Sequence, residues 1–325
     1  MKNFGYGLQL PSDVYHFCKL TLRSILKHSK NEDIKNLYHL TSYKNINTDI
    51  IISSSDKTKK PKSIMQNQIE NEINTNFLQL KEQSGMIIHL KEEITKKGVE
   101  TWNMLIKYLP PNIFNFCRKS LIYSLTNNSN LFRWKRSNSD KCELCQKKQT
   151  QLHVLNNCTV AVRDGRYNWR HDSILSTLVN YMSYLSQHGF KMYADLNGFR
   201  SPSELFKSYR PDIVLRKNDK LFIFELTVCF ETNTLKSRNY KINRYKDIEK
   251  DAVAPLYVAE KYFIEITSIG FITKSIQPFQ RFCKLYKINT ERMMKKASET
   301  AIRASFYIFN RRNKEWTNPE LLNFT

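Results

Sequence analysis

Four residues with side chains that zinc prefers lie within a short stretch of the chain. They are Cys142, Cys145, His153 and Cys158, with the spacing Cys-x2-Cys-x7-His-x4-Cys. Two cysteines separated by two residues can hold one ion from a tight turn, and a histidine with a third cysteine completes a tetrahedral S3N set. We name residues 142–158 the zinc knuckle. The spacing predicts a structural zinc site, and the alternative is unrelated thiols and an imidazole in a packed region.

Basic residues and one tryptophan precede the zinc knuckle. Cations suit a phosphate backbone, and an indole ring can stack on an unpaired base. The residues predicted to contact nucleic acid here are Arg133, Trp134, Lys135 and Arg136.

A second candidate site combines two acids in predicted strands. Asp212 ends the tripeptide Arg-Pro-Asp, and Glu225 begins Glu-Leu-Thr after a spacer of twelve residues. Segments 212–217 and 221–230 have β-strand composition and a turn-like spacer, so a hairpin can bring both carboxylates together. Two such oxygen ligands can bind Mg²⁺, which activates water and neutralises phosphate charge. Acids in hairpins are common, but Glu225 interrupts an apolar run, where an unpaired charge is costly.

A polar, basic helix is predicted directly after these strands. Its cations are Lys236, Arg238, Lys241, Arg244, Lys246 and Lys250. Helical spacing puts Lys241 and Tyr245 on one face, which can turn toward the two acids, whereas Lys246 lies about 100° around from Tyr245. The pattern predicts Lys241 as a catalytic cation and Lys246 as a contact to the DNA backbone. The alternative is a solvated basic face.

Helical and β-type patterns alternate along the second half of the chain. Helices are predicted at 171–187, about 232–250 and about 276–310, and strands at 212–217, 221–230 and 262–272. This order predicts an α/β (α+β) fold in which a central mixed sheet is flanked by helices.

Three regions are predicted along the chain. They are a helical or linker region at 1–99, a helical segment with the zinc knuckle at 100–160, and a domain with C-terminal basic helices at 161–325. The polar stretch 53–63 is typical of a solvated linker, and its basic core leaves a nuclear-import signal as the alternative.

These constellations, in this order, resemble the C-terminal part of a non-long-terminal-repeat retrotransposon polyprotein with a restriction-like endonuclease. The resemblance covers roughly 100–275. It rests on the segment LPPNIFNFCRKSLIYSLTNNSNLFRWKRSNSDKCELC, the knuckle ending QTQLHVLNNC, the segment GRYNWRHDSIL, and RPD-x12-ELT followed by Lys-x2-Arg-Tyr.

The resemblance implies a PD-(D/E)xK-type nuclease that nicks target DNA, so that the freed 3′ end primes reverse transcription of the element's RNA. By position, Asp212 and Glu225 match the metal-binding acids. Lys241 matches a displaced catalytic lysine, because Thr227 stands where the general pattern has lysine.

Two further features of the resemblance concern neighbouring segments. His171 and Asp172 fall in an Arg-His-Asp segment, for which a helix N-cap by Asp172 is the alternative. The reverse transcriptase of such an element needs an Asp-Asp pair, and this sequence contains none. The polymerase is therefore expected to be missing, and residues 1–99 are expected to correspond to the linker that follows it. A separate reverse transcriptase module is then an expected partner.

Charge and composition narrow the class of partner. The chain has 325 residues, with 52 Lys+Arg, 30 Asp+Glu and a net charge of +22, which favours nucleic acid first and an anionic membrane surface second. The absence of a secretory signal or long apolar run, with an odd number of cysteines, indicates a reduced intracellular chain without membrane attachment. A nuclear location is expected. The absence of GxxxxGK[ST] and GxGxxG weighs against nucleotide binding.

Three functions remain open on the sequence. The first is a Mg²⁺-dependent DNA endonuclease with a zinc knuckle, and the second is an inactive remnant that acts only as a zinc-dependent nucleic-acid-binding module. The third is a basic scaffold with a structural zinc. Intact Asp212, Glu225 and Lys241 favour the first, whereas a chain without its polymerase favours the second.

Overall fold

The chain divides into two units, Met1–Ser84 and Gly85–Thr325. The computed structural model describes residues 11–44, 52, 63, 66, 67, 69, 71, 75, 76, 78–80, 83–198, 205–248 and 258–322. Most of the predicted linker (53–62) and Lys250 lie outside the described residues. The region boundaries predicted after residues 99 and 160 stay predictions, and both positions fall within the second unit.

The first unit contains two described α-helices, α1 (Pro11–Lys27) and α2 (Glu32–Leu40). The buried guanidinium of Arg23 joins them, because it donates to the Tyr38 carbonyl at 3.0 Å and lies 4.1 Å from the centre of the Tyr38 ring. The Asn31 side chain caps α2 by accepting from backbone N–H groups of its first turn.

The second unit has a mixed α/β fold. Its helices are α3 (Gln83–Glu93), α4 (Lys96–Lys107), α5 (Pro111–Leu121), α6 (Asn128–Arg133), α7 (Thr159–Arg163), α8 (Arg166–Met182), α9 (Thr234–Arg244), α10 (Gln277–Leu285) and α11 (Thr290–Asn310). Its strands are β1 (Lys191–Ala194), β2 (Ile213–Lys217), β3 (Lys220–Cys229) and β4 (Val258–Thr267). The predicted mixed sheet with helices around it is confirmed at this level.

The four strands form one sheet in the order β1-β2-β3-β4. The first three are antiparallel neighbours, and β4 runs parallel to β3 after the crossover that contains α9. The predicted hairpin is present as β2 and β3, and Asn218 in its turn has a φ of 54°, a conformation that asparagine tolerates. Strand β1 was not predicted, because its four residues are too short to show an alternating pattern.

Helices bury both faces of the sheet. The main core packs α8, α10 and α11 against one face, which carries Ile213, Leu215, Phe222, Phe224, Leu226, Ile264 and Ile266. On the opposite face, Val214, Leu221 and Ile223 pack with Tyr245 and Ile248, which follow α9. Burial on both faces explains the continuous apolar runs in these strands. It also means that any charged side chain in them needs a partner.

The predicted boundaries differ from the observed ones where a turn intervenes. The strand predicted at 262–272 ends at Thr267, where the chain reverses: Gly270 has a φ of 86° and the Thr267 N–H bonds the Phe271 carbonyl at 2.8 Å. The helix predicted at 276–310 is two helices, because Lys287 between them has a φ of 56° that no α-helix contains.

The helix predicted at about 232–250 is shorter than expected. It ends at Arg244, and Tyr245 and Ile248 are buried beyond its end. In the described part of the chain, no helix is both long enough and apolar enough to cross a membrane.

A fully buried carboxyl group follows β3. Glu231 Oε1 accepts hydrogen bonds from Ser268 Oγ and the Ile269 N–H, both at 2.9 Å. Its Oε2 has no hydrogen-bond partner among the described residues. Burial raises the pKa of Glu231 above the ordinary carboxyl value, so the folded protein binds this proton more tightly than the unfolded chain does.

This burial predicts a pH-dependent stability. Because the folded pKa of Glu231 is raised, its contribution is complete below the ordinary carboxyl pKa and is lost as pH rises toward the folded value. Glu231→Gln should therefore flatten the decline of the unfolding free energy as pH rises above the ordinary carboxyl pKa, measured by urea denaturation. The exposed Glu315→Gln is the control. An unchanged pH slope in Glu231→Gln would contradict this expectation.

Candidate active site and zinc knuckle

The hairpin brings the two predicted acids together. Ile213 pairs with Phe224, so the antiparallel register places Asp212 opposite Glu225. The period of two along a strand puts both side chains on the face that carries Val214 and Ile223, away from the main core.

Their side chains interlock with the backbone. The Asp212 N–H donates to Glu225 Oε1 at 3.3 Å, and the Leu226 N–H donates to Asp212 Oδ2 at 2.7 Å. Both residues are buried, and Glu225 is only 1% exposed. Backbone hydrogen bonds thus hold the two buried carboxyl groups at fixed positions beside each other.

Lys241 lies between the two acids. Its Nζ is 2.7 Å from Glu225 Oε2 and 3.3 Å from Asp212 Oδ2, so one ammonium bridges both carboxylates. Burial opposes its charge, but Asp212 and Glu225 raise the pKa of Lys241 above its ordinary value. The side chain therefore stays a cation at neutral pH and cannot serve there as a base.

Tyr245 supports Lys241 from the end of α9. Its ring centre is 5.6 Å from Lys241 Nζ, and its hydroxyl donates to the Arg210 carbonyl at 3.2 Å. Tyr245 thus ties the end of α9 to the segment that precedes Asp212.

A second cation, His171, reaches the same acid from α8. Its Nε2 is 3.5 Å from Asp212 Oδ1, and its Nδ1 is 3.0 Å from Asp172 Oδ1. Asp172 therefore orients the imidazole. The alternative role of Asp172 as a helix N-cap is wrong, because α8 begins at Arg166 and Asp172 lies inside it.

The charges around the acids separate their pKa values. At Asp212, burial opposes ionisation, but His171 and Lys241 outweigh it and lower the pKa to about 2. At Glu225, burial and the negative charge of Asp212 raise the pKa to about 8, against the opposing effect of Lys241. Burial also opposes the charge on His171, yet Asp212 and Asp172 raise its pKa to about 10. Asp212 is therefore the more acidic of the two groups, and the two cations His171 and Lys241 contact it.

Arg238 fixes α9 against the sheet one turn before Lys241. Its Nε lies 3.1 Å from Glu265 Oε2 on β4, and its Nη2 lies 2.8 Å from Glu93 Oε2 on α3. Thr273 Oγ1 donates to the same Glu265 oxygen at 2.7 Å, and Ser275 also bonds it. The prediction that Arg238 faces solvent or DNA is wrong, because its guanidinium forms ion pairs with Glu93 and Glu265 inside the protein. The signal that could have found this pair is Glu265, a second charge inside an apolar strand pattern.

The four zinc-knuckle ligands also converge. Their ligand atoms all lie within 4.8 Å of one another, close enough to hold a metal ion. Cys158 Sγ is 4.0 Å from Cys142 Sγ and 3.8 Å from Cys145 Sγ, and Cys145 Sγ is 3.3 Å from His153 Nε2. A tetrahedral zinc with bonds of about 2.3 Å to sulfur and 2.0–2.1 Å to nitrogen requires edges of about 3.8 and 3.6 Å. The donor set and its spacing therefore fit zinc.

The pKa shifts of two ligands favour the metal-binding form, whereas burial raises the pKa of Cys158 to about 11 and opposes its thiolate. Burial and the charge of Lys147 lower the pKa of His153, which keeps the imidazole in the neutral form that binds metals. At Cys145, burial opposes the thiolate, but hydrogen bonds from the Lys147 N–H and from neighbouring thiols lower the pKa.

The knuckle is docked on α8 through Tyr167. The Tyr167 hydroxyl accepts from the Cys158 N–H at 3.1 Å and lies 3.0–3.1 Å from the carbonyls of His153 and Val154. His171 lies four residues further along α8, on the same side of the helix. One helix thus contacts both the knuckle and Asp212.

The predicted nucleic-acid residues lie at the end of α6 and in the turn that follows it. All four of Arg133, Trp134, Lys135 and Arg136 are exposed. At the start of α6 the Asn128 side chain donates to the carbonyl of Lys141, the residue before the knuckle, at 2.7 Å. The contact of residues 133–136 with nucleic acid stays a prediction. Lys246 is exposed beyond the end of α9, apart from the buried Tyr245, and its predicted contact also stays a prediction.

No protein-family model matches this chain, and no curated protein matches it. The site is therefore interpreted from its own geometry.

The knuckle geometry predicts one zinc per chain. Cys145→Ser should release the metal and make residues 130–160 more sensitive to limited proteolysis, since metal binding supplies local folding energy. The control is Cys18→Ser, a change at an exposed cysteine outside the knuckle. Elemental analysis of protein purified without chelator measures the metal. A zinc-free parent, or equal zinc loss in both variants, would refute the site.

Proposed function

We propose that this chain is a metal-dependent DNA endonuclease of the retrotransposon type, with a structural zinc knuckle that contacts nucleic acid. The observation that carries the proposal is the convergence of Asp212, Glu225 and Lys241 on one face of the sheet. These residues come from three different elements, and two of them are buried charges that packing alone does not require. A buried polar cluster with strongly shifted pKa values is typical of a catalytic site.

The arrangement suits phosphodiester hydrolysis. Asp212 and Glu225 would hold Mg²⁺, which when bound supplies Lewis-acid activation of water and of the phosphate. The Lys241 ammonium contacts an oxygen of each carboxylate, which supports the proposal that the two acids can share one cation. Lys241 and His171 would stabilise negative charge on the phosphate, because both are held as cations at fixed positions.

The rest of the chain supports binding to a polyanion. The net charge of +22 favours nucleic acid, and the exposed residues 133–136 place three cations and an indole ring at the end of α6 and in the turn that follows it. Target DNA, the element's RNA and a separate reverse transcriptase module are the proposed partners, in the nucleus. A nucleic-acid-binding module without nuclease activity is the second candidate, because these basic features do not depend on the acids.

The first test removes the metal-binding acids. Asp212→Asn and Glu225→Gln should each reduce Mg²⁺-dependent nicking of supercoiled plasmid by a factor of about 100 or more, since each removes a charged ligand. Duplex affinity should stay equal or increase, because a negative charge is lost. Glu315→Gln controls for the loss of any surface acid. An inactive parent that binds DNA would favour the second candidate, and full nicking by both site variants would overturn the assigned site.

The second test separates two lysines. Lys241→Ala should slow nicking at saturating enzyme by about 100-fold with little loss of affinity, since the lost charge stabilisation is worth about 3 kcal/mol. Lys246→Ala should weaken binding modestly and leave the saturated rate nearly unchanged, because its side chain is exposed and apart from the acids. Lys241→Gln keeps a long polar side chain, and a thermal melt of each variant checks that a slower rate is not caused by misfolding. A rate collapse confined to Lys246→Ala would reverse the assignment.

A further inference from the structure

A cavity of about 560 Å³ lies at the turn end of the β2–β3 hairpin. Asn218 and Lys220 of the hairpin, Tyr262 of β4, and Arg281 and Tyr286 at α10 are among the residues that line it. Its volume is in the range of natural small-ligand sites. Neither the nuclease proposal nor the zinc knuckle uses any of these residues.

Aromatic rings form one wall of this cavity. Phe282 lies at its centre, with its ring 4.8 Å from that of Tyr286 and 5.5 Å from that of Tyr262. The rings of Tyr262 and Tyr286 are partly exposed, whereas Phe282 is buried beneath them. A flat π-system can stack on such a wall.

Charged groups surround the rings. The cations are Lys217, Lys220 and Arg281, and the acids are Asp219 and Glu260. Neither Lys220 nor Arg281 forms an ion pair with a residue that the structure describes, so their charges remain for a ligand. The Tyr262 hydroxyl donates to Glu260 Oε2 at 2.6 Å, which leaves the other carboxylate oxygen as an acceptor.

We propose that this cavity binds an unpaired nucleotide of single-stranded nucleic acid. A base would stack on Tyr262 or Tyr286, Arg281 and Lys220 would bind its phosphates, and the acids could accept from an exocyclic amino group. The excess of cations disfavours a cationic ligand, although aromatic walls alone would suit one. A paired base cannot enter, because its faces are stacked and its edge is occupied by its complement.

The cavity is distinct from the acid cluster. Phe222 lines it and belongs to the sheet face that packs on α10, whereas Glu225 lies on the opposite face. Lys217, at the end of β2, is five positions after Asp212, a distance of about 17 Å in a strand. The proposal therefore concerns a separate strand or a separate stretch of strand, and it does not require that the protein cut DNA.

The experiment measures binding of fluorescein-labelled single-stranded 10-mers of DNA and of RNA, and of a DNA duplex, to the full chain without added Mg²⁺. Tyr286→Leu should weaken single-strand binding about tenfold and leave duplex binding within about twofold, because it removes stacking but keeps an apolar side chain. Tyr286→Phe should bind like the parent. Comparison of the two single strands identifies RNA or DNA as the preferred ligand.

A matched pair of cations tests the role of charge. Arg281 lines the cavity, whereas Lys284, one turn later on α10, is exposed and does not. Arg281→Ala should weaken single-strand binding at least fivefold, and Lys284→Ala less than twofold. Ultraviolet crosslinking of a 5-bromouracil oligonucleotide should label peptides within 258–286. Equal effects of the two cation variants, unchanged binding by Tyr286→Leu, or labels confined to 133–158 would each overturn the proposal.

Discussion

The pairing of buried charges on the α9 face of the sheet governs how the second unit is arranged. Glu225 lies in a strand buried on both faces, where an uncompensated carboxylate would cost several kcal/mol. Lys241 of α9 lies 2.7 Å from Glu225 Oε2, so the carboxylate has a cation partner whenever it ionises. Arg238 makes the equivalent pair with Glu265 of β4, so two ion pairs fix the same helix on two adjacent strands. Within the helix Thr234 is the buried residue, so these ion pairs, together with Tyr245 and Ile248 just beyond its end, hold α9 on the sheet.

A second constraint joins the knuckle to this face. Tyr167 accepts from the Cys158 N–H, and His171 of the same helix approaches Asp212. Arg166, at the start of α8, donates to the carbonyls of Arg311 and Lys314 beyond α11, so the helix is held at its first turn. One helix therefore fixes the position of the knuckle relative to the side of Asp212 that faces His171.

Much of this arrangement could be predicted from the sequence. The knuckle ligands, the hairpin and the two acids followed from spacing and from one charge inside an apolar run. Lys241 could be selected over Lys246 because Tyr245 and Ile248 mark the buried side, and both are buried. The helix end at Arg244 and the turn at Lys287 could not be predicted, since neither position carries glycine or proline. Glu265 interrupts an apolar strand pattern and so signals that it needs a partner, but no local pattern identifies Arg238 as that partner or pairs His171 with Asp212.

The ion pair between Arg238 and Glu265 also bears on why a threonine, and not a lysine, occupies position 227 of β3. Thr227 lies two residues after Glu225 on the same strand face and pairs with Glu265 of β4. Glu265 is already neutralised by Arg238, whose Nε is 3.1 Å from its Oε2. A lysine at 227 would face Glu265 and compete with Arg238 for the same carboxylate, so one of the two cations would lose its partner. In this chain the cation beside Glu225 comes instead from α9, three residues after Arg238, as Lys241. The ion pair between Arg238 and Glu265 thus positions the helix that supplies Lys241.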